Sequence, residues 1–368
     1  MRADVDATEC HFMSVSATFC LKTLGVACPA FNTLISDVRS FARSHFHYAV
    51  IMLKLTELQK TKLRPLEAEL QRCVQSGESE KAVEIVGQIQ NIFGSERRHH
   101  RLLRDKLWAY ESALDANSLV YAESGFTGVR SLSGKGTRLY LEATILLSIC
   151  ALRQKKLTEA KRLIRQVVEN LNNITSDRKR RQFQRRFIER VEEECILSEL
   201  IGRTDGPLDP KDIEEKAIML IKHSHQDQIL ALIGQSLPPA SVLTLSEVRN
   251  YSILMLPPAD RKFLPAPENA LESQKIGKRT FDLIHRIGWK TFCAPDSTIF
   301  QLWSKKTPEV FSKGYFTSAT IAALNQWRIG IPMIAAGMAA IIMKYSAEQF
   351  CEITRPKGLM VGKGDMED

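Results

Sequence analysis

The chain has 368 residues, 44% of them apolar and 25% charged. That balance excludes a wholly disordered chain, a collagen-like chain and a small disulfide scaffold, and the length suffices for about two or three domains with a sizeable core. The net charge of +9 is local: Arg153 to Arg190 holds 13 Lys and Arg against 4 acids (Glu159, Glu169, Asp177, Glu189), and the rest of the chain balances. Such a stretch suggests an anionic partner: nucleic acid, an acidic protein or a lipid headgroup surface.

In chain order, residues 1–60 read as an N-terminal helical segment. Met13 to Ala30 is mildly apolar, but Asp4, Asp6 and Glu9 precede it and Lys22 interrupts it, which does not suit a signal peptide. Gly25 likewise stands where a lipoprotein cleavage site wants an apolar residue. A helical body is expected over 61–205. One apolar stripe runs through Leu53, Leu55 and Leu58 to Leu63, Leu66 and Leu70, and a second through Ala82, Val83, Ile85, Val86 and Ile89. A third is Leu139, Leu141, Ala143, Ile145, Leu146 and Ile149; a fourth is Leu157, Ala160, Leu163, Ile164, Val167, Val168 and Leu171. Phe183, Phe187, Val191 and Cys195, each four residues apart, form a fifth, and read as core. Strand signals are scarce. The expected fold is all-α: helical hairpins, a helical middle with Pro-rich linkers over 206–269, and a C-terminal helical unit over 270–356. The tail 357–368 reads as disordered.

Two helix pairs carry a family resemblance. Leu147, Ser148, Leu157, Ala160 and Ile164 stand at the spacing of a tetratricopeptide repeat, with Val167 where a small residue is usual. Leu70, Ala82 and Val86 match in the other pair, with Gly77 in the turn. The chain thus resembles a tetratricopeptide-like repeat protein over about 50–60 residues. Ala82 and Ala160 are 78 residues apart, not a multiple of 34. The resemblance implies a helical-hairpin solenoid, whose usual work is to hold a peptide or another domain.

Arg178, Lys179, Arg180, Arg181, Arg185 and Arg186 are the candidate contact residues for an anionic partner. The helix they open is capped by Thr175, Ser176 or Asp177. Cations in a first turn oppose the helix dipole, and Glu192-Glu193-Glu194 lie toward the other end, so the order is reversed from the stabilising one. The bland alternative is a solvated face whose cations pair with acids on neighbouring helices.

Ile329 to Met343 is an uncharged apolar run. As a helix it spans about 22 Å, which suits a buried central helix of the C-terminal unit. The alternative is a bilayer-inserted segment bounded by Trp327, Arg328, Lys344 and Tyr345, with Ile334 and Ile341 inside it. Gly330, Pro332 and Gly337 weaken that helix.

Catalytic signals are thin. Gly128 to Thr137 has five residues between glycines, and Gly136 splits Lys135 from Thr137, so a phosphate-binding loop is rejected for a flexible loop between helices. No zinc-protease motif joins the pairs His45/His47, His99/His100 and His223/His225. Arg39 with His45 and Arg279 with His285 each have five residues between them, which resembles the Arg–His pair of some helical ribonucleases. Cys10, Cys20, Cys28, Cys73, Cys150, Cys195, Cys293 and Cys351 lie wide apart and read as buried free thiols, with no metal site and no cofactor implied. The leading expectation is a cytoplasmic, non-enzymatic helical-repeat scaffold binding a protein or other anionic partner. The alternatives are a membrane-associated protein and a nucleic-acid-binding protein or helical ribonuclease. Nothing suggests a small-molecule substrate.

Overall fold

The computed structural model describes residues 55–264, 272–294, 297–306 and 314–353. Among them are sixteen α-helices and no β-strand, so the fold is all-α. His45, Cys10, Cys20, Cys28, the Met13–Ala30 stretch and the tail from 357 lie outside the described residues.

Three helical hairpins come first: α1 (Glu57–Gln75) with α2 (Ser79–Phe93), α3 (His100–Asp115) with α4 (Leu119–Leu132), and α5 (Arg138–Arg153) with α6 (Leu157–Glu169). All three turn the same way. Gly77, Asn117 and Lys155 take the left-handed conformation, with φ of 71°, 64° and 58°. One residue on, the N–H groups of Glu78, Ser118 and Lys156 each donate, at 2.9 Å, to the carbonyl five residues back: Cys73, Ala113 and Ala151. This is the Schellman arrangement, which satisfies orphan carbonyls at a helix end. Five residues past each turn, Ala82, Ala122 and Ala160 are fully buried and let the second helix cross closely. Their separations are 40 and 38 residues, so the 78-residue gap between the outer two contains a middle hairpin.

That hairpin is the main departure from the sequence reading. Gly128 to Leu132 are not loop but the end of α4; only residues 133–137 turn before α5. Successive helices pack on one another, and the first helices of successive hairpins also touch. The last contact in that series is made by α7 (Asp177–Leu200), which lies on α5. Ser176 caps it, and Phe183, Phe187, Val191 and Cys195 are buried as their spacing predicts.

After α7 the chain runs through α8 (Pro210–His223), α9 (Gln226–Gln235), α10 (Pro239–Met255), the single turn α11 (Pro258–Arg261), α12 (Ser273–Cys293), α13 (Thr298–Ser304), α14 (Tyr315–Gln326), α15 (Pro332–Ile342) and α16 (Ala347–Ile353). The break at 202–207 is tied down: Gly330 N–H donates to Arg203 O at 2.8 Å, and Asp205 N–H to Gly330 O at 2.9 Å. Helix α10 packs along α7, so the C-terminal helices continue directly from the hairpins.

The apolar run folds as α15, eleven residues and about 16 Å long. Ile334 through Ile342 are all buried, against α8, α9 and α14. Trp327 is buried with Arg153 over its ring, Lys344 donates to Ser224 O at 3.0 Å, and Tyr345 bonds Gln226. Arg328 is exposed. No single described helix is long and apolar enough to cross a membrane.

Cysteine pairing also departs from expectation. Cys73, Cys150 and Cys195 are buried free thiols, but Cys293 and Cys351 form a disulfide that ties α12 to α16. The partners are 58 residues apart, a separation that no local spacing rule detects. Beside the bond, Phe350 sits edge-on to His285 at 4.4 Å and packs on Trp303.

Candidate anion-binding pocket

The basic stretch does not form one surface. Arg153 and Arg190 point inward. Arg153 is paired with Glu194 and donates to Leu114 O at 2.5 Å. Arg190 reaches Asp115 at 2.7 Å, and Arg286 of α12 joins the same carboxylate and Glu193, the latter at 3.1 Å. Burial alone would lower Arg190, but Asp115, Glu194, Glu193 and Glu111 together raise it further above the usual arginine range. Burial pushes Glu193 up to about 8, against the pull of Arg190. Lys161 pairs with Glu247, Arg162 with Glu159, and Arg165 donates to the Tyr251 hydroxyl at 3.0 Å. These are tertiary and local ties of the kind the bland alternative anticipates.

The six candidate residues at the start of α7 divide evenly. Arg180 pairs with Asp177 at 2.8 Å and faces Asp260 at 3.5 Å. Arg181 faces Asp260 at 3.6 Å and stacks over Phe263, 4.1 Å from the ring centroid. Arg186 is half-buried and also engaged. Arg178, Lys179 and Arg185 are exposed and make no ion pair among the described residues. At 100° per residue, Arg178, Arg181 and Arg185 fall on one face of the helix, and Lys179 and Arg186 on the next.

Arg185 opens into a cavity of about 380 Å³. Ile188 and Glu189 of α7 form one wall, Arg249 of α10 and Arg279 of α12 the floor, and Lys262, Phe263 and Leu264 the rim. Arg249 and Arg279 share a single carboxylate, Glu192, with Arg279 at 2.5 Å. Burial, and then the neighbouring Arg279 charge, bring Arg249 down to about 10. Lys262 is exposed, with no ion pair among the described residues. Around this cavity, four cations meet two carboxylates. A pocket with that imbalance attracts anions, and its half-buried position weakens solvent screening.

Arg249, Lys262, Phe263 and Arg279 were not legible as site residues. They come from three segments 64 or more residues beyond Arg185. The one available signal is that Arg249 is the only Lys or Arg between Lys222 and Arg261. Arg279 and His285 do not converge: six residues apart on one helix they point about 240° around it, Arg279 to Glu192 and His285 to the Phe281–Phe350 cluster. No group of His, Cys, Asp and Glu among the described residues could hold a metal ion.

A second cavity, of about 400 Å³, lies where the first two hairpin turns meet α12 and α14, with Glu111, Asp115, Arg286 and Lys290 on its walls. Its charges balance, so it favours no ligand class. No family model matches the chain, and no curated protein or solved structure is significantly similar to it.

Proposed function

We propose that this chain is a non-enzymatic helical-repeat scaffold that holds an acidic protein partner on the exposed basic face of α7. The observation that carries the reading is the fate of the six cations: Arg180, Arg181 and Arg186 are engaged internally, whereas Arg178, Lys179 and Arg185 are exposed near a cation-rich pocket and make no ion pair among the described residues. Free cations in a helix's first turn lower its stability by a few tenths of a kcal/mol each, and an acidic partner reverses that effect. The three stacked hairpins supply the rigid support on which such a face is presented.

The test is fluorescence anisotropy with a labelled oligo-glutamate peptide. Binding should weaken as salt rises. It should be lost in the triple variant R178E/K179E/R185E and kept in K62E/R64E/R72E, which reverses exposed charges on α1. Equal loss in both variants would reduce the effect to net charge and sink the reading. Tighter binding of an oligouridylate through the same three residues would transfer it to nucleic acid.

A further inference from the structure

We infer that the pocket beside Arg185 takes a phosphomonoester, carried on a side chain of the acidic partner. The inference rests on the proposed function for its partner and on the pocket for its chemistry. Arg185 and Lys262 are exposed cations on its lining, with no ion pair among the described residues. Behind them Arg249 and Arg279 share Glu192, and Glu189 is the remaining acid. The cations exceed the carboxylates by two. A carboxylate ligand would cancel half of that excess, whereas a phosphomonoester carries close to two negative charges at neutral pH and cancels it. The donors also suit a tetrahedral oxyanion. They come from α7, α10, α12 and the turn after α11, so they stand around the cavity rather than along one helix. Guanidinium groups make up three of the four, the group best matched to phosphate geometry.

A cavity of about 380 Å³ exceeds the needs of one phosphate. Ile188, Phe263 and Leu264 provide apolar wall for the carbon atoms that bear it. A chain-borne phosphate is favoured over a free one by what lies outside. Arg178 stands seven residues before Arg185 on the same helix face, about 10 Å along the axis, with Arg181 between them. A peptide anchored by its phosphate in the pocket would lay neighbouring acidic residues along that row, whereas a free phosphate would use none of it.

The experiment measures anisotropy of two labelled acidic peptides that differ only in one central serine, phosphorylated or not. The phosphorylated form should bind about tenfold or more tightly than the plain form. In R185A/K262A that preference should fall to within about twofold. Both side chains are exposed and make no ion pair among the described residues, so a thermal melt should show the fold unchanged. R178A should weaken both peptides by similar factors and leave the preference intact. Equal binding of the two peptides by the wild-type chain would overturn the inference while leaving the proposed scaffold role standing. A preference that survives in R185A/K262A would place the phosphate elsewhere and also overturn it. Inorganic phosphate that competes as strongly as the phosphorylated peptide would overturn the chain-borne source. Failure of both peptides to bind would remove the proposed function as well.

Discussion

Asp105 is a carboxylate with no access to solvent, facing Arg104 at 2.8 Å on the inner side of α3. Burial drives its pKa from 3.8 up to about 7; Arg104 opposes the rise and Glu67 adds to it. Glu67 of α1 responds in the opposite direction. Its burial also favours the neutral form, but hydrogen bonding from Arg101 and the charges of Arg104 and Arg101 outweigh this and lower it. Two carboxylates share Arg104, and the more deeply buried one keeps the proton. The native state therefore holds a proton on Asp105 that the unfolded chain has released between pH 3.8 and about 7. Stability contributed at the acid end of that window is lost as pH rises through it. In Asp105→Asn this slope should vanish. Measured by urea denaturation at several pH values, the variant's stability relative to wild type should rise from about pH 4 to about pH 7 and then level off. A difference that does not change with pH would mean that Asp105 is ionised throughout. Nothing in the sequence around Asp105 announces this. An acid beside two arginines in a helix reads as a surface pair, and only the packing of α1 on α3 removes it from water.

At the scale of the element, the outer hairpins were legible and the middle one was hidden by a glycine at an apolar position. Leu70 of α1 and Ile85 of α2 correspond, 40 residues on, to Tyr110 and Gly125 in the middle hairpin. A Cβ at Gly125 would lie 2.4 Å from the Tyr110 ring, so the larger Tyr110 requires the glycine that faces it. A glycine where the first hairpin has an isoleucine breaks in α4 the apolar periodicity that reveals α2 and α6. The residues that seemed to weaken the C-terminal apolar helix have similar reasons. Pro332 is the first residue of α15, where its missing N–H has no partner to lose, and Gly337 gives way to Ile233 of α9. The closest crossing is between α9 and α12. A Cβ on Gly234 would meet Ser273 O at 1.9 Å, and one on Gly277 would meet Leu230 O at 1.7 Å. Backbone cannot rotate aside, so Gly234→Ala should destabilise the protein by about 3 kcal/mol or more. Gly87→Ala, in open space on α2, should instead stabilise it by about 0.5–1 kcal/mol. Thermal and urea melts of the two variants give opposite signs if the crossing is as close as described, and the same sign if it is not.

For the molecule as a whole, α7 is the element that both halves share. Glu192, Glu193 and Glu194 read in the sequence as acids arranged against the helix dipole. In the fold successive acids stand 100° apart: Glu192 meets Arg249 and Arg279, Glu193 meets Arg286, and Glu194 meets Arg153 and Arg286. Their partners lie on α10, α12 and α5, so one acidic run fastens the last hairpin to the C-terminal helices. Apart from Arg190 on the same helix, sequence order could not show these pairings, because Arg153, Arg249, Arg279 and Arg286 are 41 or more residues away from the acids they meet. Arg286 is central, touching Asp115 of α3 as well as α7. Arg286→Met keeps the volume and removes the charge, leaving buried carboxylates short of a counter-ion. The expected cost is about 3–5 kcal/mol, against less than about 0.5 kcal/mol for the exposed Arg178→Glu. If α7 couples the two halves, calorimetry of Arg286→Met should show one transition at a lower temperature. The fluorescence of Trp108 in α3, isolated by replacing the other three tryptophans with phenylalanine, should then change at that same temperature. A first transition that leaves Trp108 unchanged would mean that the hairpins fold independently, and that the acids of α7 hold two separately stable bodies together rather than completing one core.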